Sequence, residues 1–144
     1  MALEKWIIHP GETRVIDIED ASRPAFVGPN EDQIVFDMVG VHARRYRWSD
    51  LYRWKGPSRR GREQLTFGLR ARAPDVSPDG RSVVFVRNDT GQSRIGFLAL
   101  DTLAVSELAP LSKVQQVYDP DWHPDGTKIA FIRFTGVTEL WIMD

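Results

Sequence analysis

The chain contains no cysteine. That excludes disulfides, thiolate metal sites and a thiol nucleophile, and leaves packing to hold the fold. Its only histidines are His9, His42 and His123, and none has a partner at metal-ligand spacing. No apolar run approaches the roughly 18 residues that a membrane-crossing helix needs. No stretch carries the 3.6-residue apolar period over a helical length. The first residues, Met1–Trp6, lack the charged-then-apolar order of a signal peptide. Net charge is −1, so no global field draws the chain to nucleic acid or to a membrane surface.

What is present is a globular composition: 144 residues, 42% apolar and 27% charged, enough to build a core. Charge is unevenly spread. Residues 1–40 hold three basic and eight acidic side chains, residues 41–72 ten basic and two acidic, and residues 73–144 six basic and ten acidic. One basic stretch therefore lies between two acidic ones.

The dominant signal is a repeat. Ala73-Pro74-Asp75-Val76-Ser77-Pro78-Asp79-Gly80 and Asp119-Pro120-Asp121-Trp122-His123-Pro124-Asp125-Gly126 align without a gap at an offset of 46, and Phe85 then aligns with Phe131. A weaker copy runs from Arg23-Pro24 to Phe36, with Gly28-Pro29-Asn30-Glu31-Asp32 in place of Ser-Pro-Asp-Gly. Proline presets φ for a turn, aspartate bonds the backbone ahead of it, and glycine tolerates positive φ. Each copy thus reads as a short strand, a tight turn and a β-branched or aromatic strand, Ser82–Arg87 and Lys128–Arg133. Further strands are expected at Asp50–Trp54, Gly96–Asp101 and Leu140–Asp144, then at Glu63–Thr66 and Val105–Leu108. Four short antiparallel strands over about 45 residues make the unit of a β-propeller blade.

The two Pro-Asp-x-x-Pro-Asp-Gly units and the strand ending Glu139-Leu140-Trp141-Ile142-Met143-Asp144 resemble the repeat of TolB-like β-propellers. The resemblance covers residues 62–144 best and 11–61 less closely. It implies an all-β chain of four-stranded antiparallel blades and binding of a protein partner in a bacterial periplasm or cell envelope. Similar propellers also cover the active site of prolyl-oligopeptidase-type serine peptidases, filtering substrates for a separate catalytic domain.

The expected organisation is one partial propeller over 1–144. Residues 1–20 supply strands c and d of a preceding blade, with Lys5–Ile8 as strand c and Gly11–Ile16 as strand d. Residues 21–67 and 68–110 form full blades, and 111–144 a blade lacking strand d. About three blades fall short of the roughly four to eight that close a ring. Two explanations stand: a fragment of a longer propeller, or a half-ring completed by a second copy.

No catalytic constellation is legible: no Gly-x-Ser-x-Gly elbow, no phosphate loop and no His-Glu-x-x-His. No catalytic residue, metal or cofactor is therefore expected. His123 and His9 read as turn residues, and His42 falls in an expected loop. Asp79 and Asp125 have local work in their turns. Asp75 and Asp121 are expected on inner strands facing the central channel. The recurring Phe85, Phe97, Trp122, Phe131 and Trp141 read as core between blades.

The candidate binding site is the basic-aromatic stretch Ala43–Arg62, expected as a long loop between strands at 34–38 and 51–54. Loops on a rigid scaffold are where binding concentrates, and arginine with tryptophan or tyrosine marks interface hot spots. Arg44, Arg45, Arg47, Trp48 and Arg53 are the candidate residues. A solvated loop, a protein-binding loop and a surface for anionic polymers all stand as readings. A protein partner is expected rather than nucleic acid.

Overall fold

The computed structural model describes residues 3–5, 14–16, 18–28, 33–56, 61–110 and 112–144. Every regular element among them is a strand. β1 (Leu3–Lys5) and β2 (Arg14–Ile16) form a two-stranded antiparallel ladder. β3 (Ala21–Phe26), β4 (Gln33–His42), β5 (Tyr46–Lys55) and β6 (Arg62–Gln64) make the first four-stranded sheet, in chain order. β7 (Ala71–Val76), β8 (Ser82–Asp89), β9 (Gln92–Ala99) and β10 (Val105–Glu107) repeat that order in a second sheet. β11 (Gln116–Trp122), β12 (Ile129–Phe134) and β13 (Thr138–Met143) form a third, three-stranded sheet. These are consecutive antiparallel blades of an incomplete propeller. Of the strand expected at Lys5–Ile8, Lys5 closes β1 and residues 6–8 lie outside the described residues.

Each sheet is thin and apolar on both faces, so it must be covered twice. Val83–Val86 are all buried because β8 points alternate residues at two different neighbours. Val83, Phe85 and Leu98 pack toward the first sheet with Val35, Leu51, Leu65 and Val76. Val84, Val86 and Ile95 pack toward the third with Val117, Ile129 and Phe131. Ile34, Phe36, Tyr52 and Trp54 turn the other way, onto Ile18 and Ala21. Burying one such valine, leucine or phenylalanine contributes about 1.5–3 kcal/mol.

The inner strand of every blade is bent at the same place. Arg23, Ala73 and Asp119, each directly before a proline, have φ of 47°, 52° and 46°. The ladders slip at those points, between Ser22 and Ala25, Arg72 and Asp75, and Tyr118 and Asp121. The ring of the following proline keeps such a residue out of the right-handed helical region, and the bulge takes it to the left-handed one. The Ala73 N–H beside this slip reaches across to Asp37 of β4 at 2.7 Å, and the Ser22 hydroxyl bonds the same carboxylate. The Trp122 N–H, just after the third bulge, donates to Asp75 Oδ2 at 2.7 Å. Buried backbone and carboxylate are thus matched between sheets rather than within them.

The Pro-Asp-Gly turns behave as their residues dictate. Gly80 (φ 72°) and Gly126 (φ 76°) donate N–H bonds to the Ser77 and His123 carbonyls, both at 2.8 Å. Asp79 accepts from the Ser77 hydroxyl (2.6 Å) and Arg81 N–H (3.0 Å); Asp125 accepts from the Thr127 N–H and hydroxyl. Those bonds hold the Asp125 carboxyl down to about 2, the Thr127 hydroxyl contributing most. His123 lies in the second turn, its Nδ1 2.9 Å from Asp125 Oδ1.

Cross-strand pairs set the blade interior. Phe36 stacks on Tyr52 and Phe131 on Trp141, with ring centres 6.0 and 6.3 Å apart. At the equivalent place in the second sheet Phe85 faces Gly96. A Cβ there would stand 2.5 Å from the Phe85 ring. We expect Gly96→Ala to destabilise the chain by about 1–3 kcal/mol through this overpacking, outweighing the roughly 0.5–1 kcal/mol that losing a strand glycine returns. Urea unfolding measures it, and an unchanged or raised midpoint would contradict the packing described.

Candidate functional site

The basic-aromatic stretch is not the long loop expected from the sequence. β4 and β5 continue past the blade body as one hairpin, paired from Gln33↔Lys55 to His42↔Tyr46, and only Ala43–Arg45 turn. Tyr46, Trp48 and Val41 favour extended backbone and find cross-strand partners, so the ladder does not stop at residue 38. The turn is left-handed at Ala43 (φ 48°) and Arg44 (φ 59°), and the Arg45 N–H closes it onto the His42 carbonyl at 3.1 Å.

Alternation places His42, Tyr46, Trp48 and Asp50 on one face of this hairpin. Gly40 stands opposite Trp48 in the ladder. The Trp48 ring stacks with Tyr46 (5.6 Å, 6° between planes) and with His42 (5.0 Å). The Arg70 guanidinium sits 4.6 Å over Trp48. The buried Trp48 Nε1 has no hydrogen-bond partner among the described residues.

Asp50 anchors the assembly. It is fully buried, and it accepts from the Thr66 hydroxyl (2.8 Å), the Gly68 N–H (2.8 Å), the Leu69 N–H (3.1 Å) and His42 Nε2 (2.9 Å). One carboxylate thereby ties the hairpin to the segment that leads into the second sheet. Asp50, His42 and Arg70 were not among the expected site residues. Asp50 appears in the sequence only as the first residue of an expected strand, and three of its four donors lie 16–19 positions away.

The expected binding residues divide. Arg44 and Arg45 are exposed in the turn, and neither side chain has a partner among the described residues. Arg47 points to the opposite face from Trp48 and meets Asp20 at 3.2 Å, an exposed pair of about 0–1 kcal/mol. Trp48 is held in the stack. Arg53, only 13% exposed at its side chain, donates twice to Glu63 at 3.2 and 2.8 Å across β5 and β6. The Arg53 hydrogen bonds are the main reason the Glu63 carboxyl is held below its ordinary range.

A second region lies along the inner strands. Arg23, Ala73–Asp75 and Asp119–Asp121 from the three inner strands line an open depression of about 320 Å³, and Arg23 is ion-paired with Asp119. Asp75 and Asp121 are therefore where the repeat placed them. Burial first, and then the Asp121 charge, push the Asp75 carboxyl above its ordinary value. Among the described residues no three His, Asp or Glu side chains are grouped to hold a metal.

Two outcomes follow. Asp50→Ala strands four donors and should cost about 3 kcal/mol or more, while Asp50→Asn, which keeps an acceptor, should lose less; equal losses in urea unfolding would refute the anchoring role. Because Asp75 binds its proton more tightly folded than unfolded, its stabilisation is present in acid and lost as pH rises through the folded value. Asp75→Asn keeps an oxygen for the Trp122 N–H, and should be neutral or stabilising at pH 7 and flatten that dependence in pH-series melts.

No family model matches the sequence, and no curated protein matches it. Solved structures do. TolB from Acinetobacter baumannii is similar over 99% of this chain and 35% of its own, at 23% identity and a TM-score of 0.73. The propeller domain of the Trilobed protease from Pyrococcus furiosus is similar over 86% of this chain and 38% of its own, at 21% identity and a TM-score of 0.61. A puromycin-hydrolysing peptidase of Mycobacterium tuberculosis is similar over 92% of this chain and 22% of its own, at 17% identity and a TM-score of 0.66. The chain spans about a third of the length of that TolB, and what it shares with all three is the backbone path of stacked blades: it has the fold of a TolB-like β-propeller, in part.

Proposed function

We propose that the chain is a non-catalytic, protein-binding stretch of propeller whose contact point is the β4–β5 hairpin tip. Residues 21–67, 68–110 and 111–144 serve as successive blades behind it. The carrying observation is the contrast between Arg44–Arg45 and their surroundings: two unpaired guanidinium groups on a turn whose base is locked through Asp50 and the Trp48 stack. A rigid hairpin loses little entropy on binding, and Tyr46, 55% exposed, adds aromatic area beside the charges.

The same count weighs against a polyanion. Each phosphate neutralised contributes about 0.7–0.9 to the salt slope, and nucleic-acid binding accumulates many. Here Arg47, Arg53 and Arg70 are engaged by Asp20, Glu63 and Trp48. The two guanidinium groups without a partner at the tip, Arg44 and Arg45, suit a pair of carboxylates on a protein surface.

A second reading draws on the peptidase neighbours. On it the blades are the substrate-filtering part of a longer serine peptidase, and the chemistry belongs to a domain outside this chain. A parent reading frame with a Gly-x-Ser-x-Gly elbow downstream would support that reading.

The test compares capture from a bacterial envelope extract by the wild-type chain and by Arg44→Ala/Arg45→Ala, with quantitative mass spectrometry. Specific partners should fall about tenfold or more with the double variant, as loss of a hot-spot pair predicts, and should weaken as salt rises. Capture unchanged by the double substitution would remove the tip from the function.

A further inference from the structure

The first sheet differs from the other two in how far its hairpin outruns its inner strand. In the third sheet β11 accompanies β12 to Phe134, the last pair before the turn. In the second, β7 pairs with β8 as far as Arg87, and the Asn88 N–H beyond it still bonds the Arg70 carbonyl at 3.2 Å. In the first, the chain enters β3 through Asp20, in left-handed backbone, and the pairing of β3 with β4 ends at Ala21↔Met38. β4 runs on with β5 to His42. Val39–His42 thus have a strand on one side and, among the described residues, none on the other.

The backbone decides which groups are left over. In an antiparallel strand the N–H and C=O of one residue point to the same side, and the side alternates along the chain. The Gln33 carbonyl accepts from the Val27 N–H, on the β3 side. The His42 carbonyl accepts from the Arg45 N–H, on the β5 side. Odd-numbered residues of β4 therefore face β3, and Val39 and Val41 face outward beyond its end. Among the described residues nothing bonds their N–H or C=O groups there. Asn88, the residue after the last β7–β8 pair as Val39 is after the last β3–β4 pair, has its N–H bonded. Edge strands are commonly blunted by lysine, proline or a bulge. This edge instead carries two valines, 38% and 68% exposed.

The charge at the end of the edge selects its occupant. Arg44 and Arg45 follow directly from His42, exposed and without a side-chain partner among the described residues. The same edge of a second copy would bring the same two arginines, and an Asp20 already held by Arg47. We propose that an extended acidic segment of a partner protein adds to this edge as a strand, its backbone bonding Val39 and Val41 and its carboxylates meeting Arg44 and Arg45. Apolar side chains at alternate positions of the segment then lie beside those of Val39 and Val41. The inference rests on the reading of the hairpin tip as the contact point, and adds that the partner arrives as a strand rather than as a folded surface.

Selection from a random linear decapeptide library on the immobilised wild-type chain tests it. Selected peptides should carry Asp or Glu near one end, alternate β-branched residues and lack proline. Their binding should shield the Val39 and Val41 amides from hydrogen exchange. Val41→Pro removes an outward N–H that has no partner within the described chain, and should weaken the selected peptides about tenfold or more. N-methylation of one alternate set of peptide amides, but not of the other, should do the same on the unaltered chain, which decides the matter if Val41→Pro does not fold. No peptide selected, no acidic enrichment, or binding indifferent to Val41→Pro and to N-methylation would overturn strand addition. Peptides that are lost on Arg44→Ala/Arg45→Ala yet indifferent to those two changes would leave the tip as the contact point and overturn the strand alone. Peptides indifferent to all three would overturn both. A wild-type dimer in light scattering that Val41→Pro dissociates would make a second copy the occupant and overturn the acidic segment.

Discussion

A sheet of four short strands cannot hide two apolar faces, and everything else in this chain follows from that. Each blade is covered on one side by the blade before it and on the other by the blade after it. The consequence is visible in β8, where consecutive residues Val83 to Val86 are all buried but answer to different neighbours. It is visible again in β12, where alternate residues reproduce the pattern with only one neighbour present. Stability in such an array is a sum of nearest-neighbour interfaces.

Packing is not the only tie between blades; the inner strands add hydrogen bonds between sheets. Each carries an X-Pro bulge in left-handed backbone, at some conformational cost. In return the bulge breaks the ladder locally, and N–H groups at or just beyond it bond carboxylates of the preceding sheet, Asp37 and Asp75. The aspartates near the channel are thereby drawn into structural work. The crowding of Asp75 and Asp121 is a by-product of bringing inner strands together, balanced in part by Arg23 against Asp119.

The hairpin tip shows the same economy applied to a protruding element. Two ten-residue strands reach beyond the blade body, where no neighbouring sheet covers them. What steadies them is polar: one buried carboxylate with four donors, and a ring stack roofed by Arg70. Three arginines of the basic segment, Arg70, Arg47 and Arg53, are engaged in this way or in pairs with Asp20 and Glu63. At the tip itself the unpaired positive charge is that of Arg44 and Arg45.

The sequence by itself determined the repeat, the four-strand unit, the turn residues and the all-β class, because these rest on local chemistry: proline and glycine at turns, and short β-branched and aromatic runs between them. It placed Asp75 and Asp121 on inner strands. Only the tertiary structure decided that residues 39–50 continue the two strands and turn only at 43–45, that Arg47 and Arg53 are paired, and that Asp50 rather than an arginine organises the tip. Those outcomes depend on which residues meet across strands and between blades. Partners such as Thr66 for Asp50, or Trp122 for Asp75, come together only when the sheets stack.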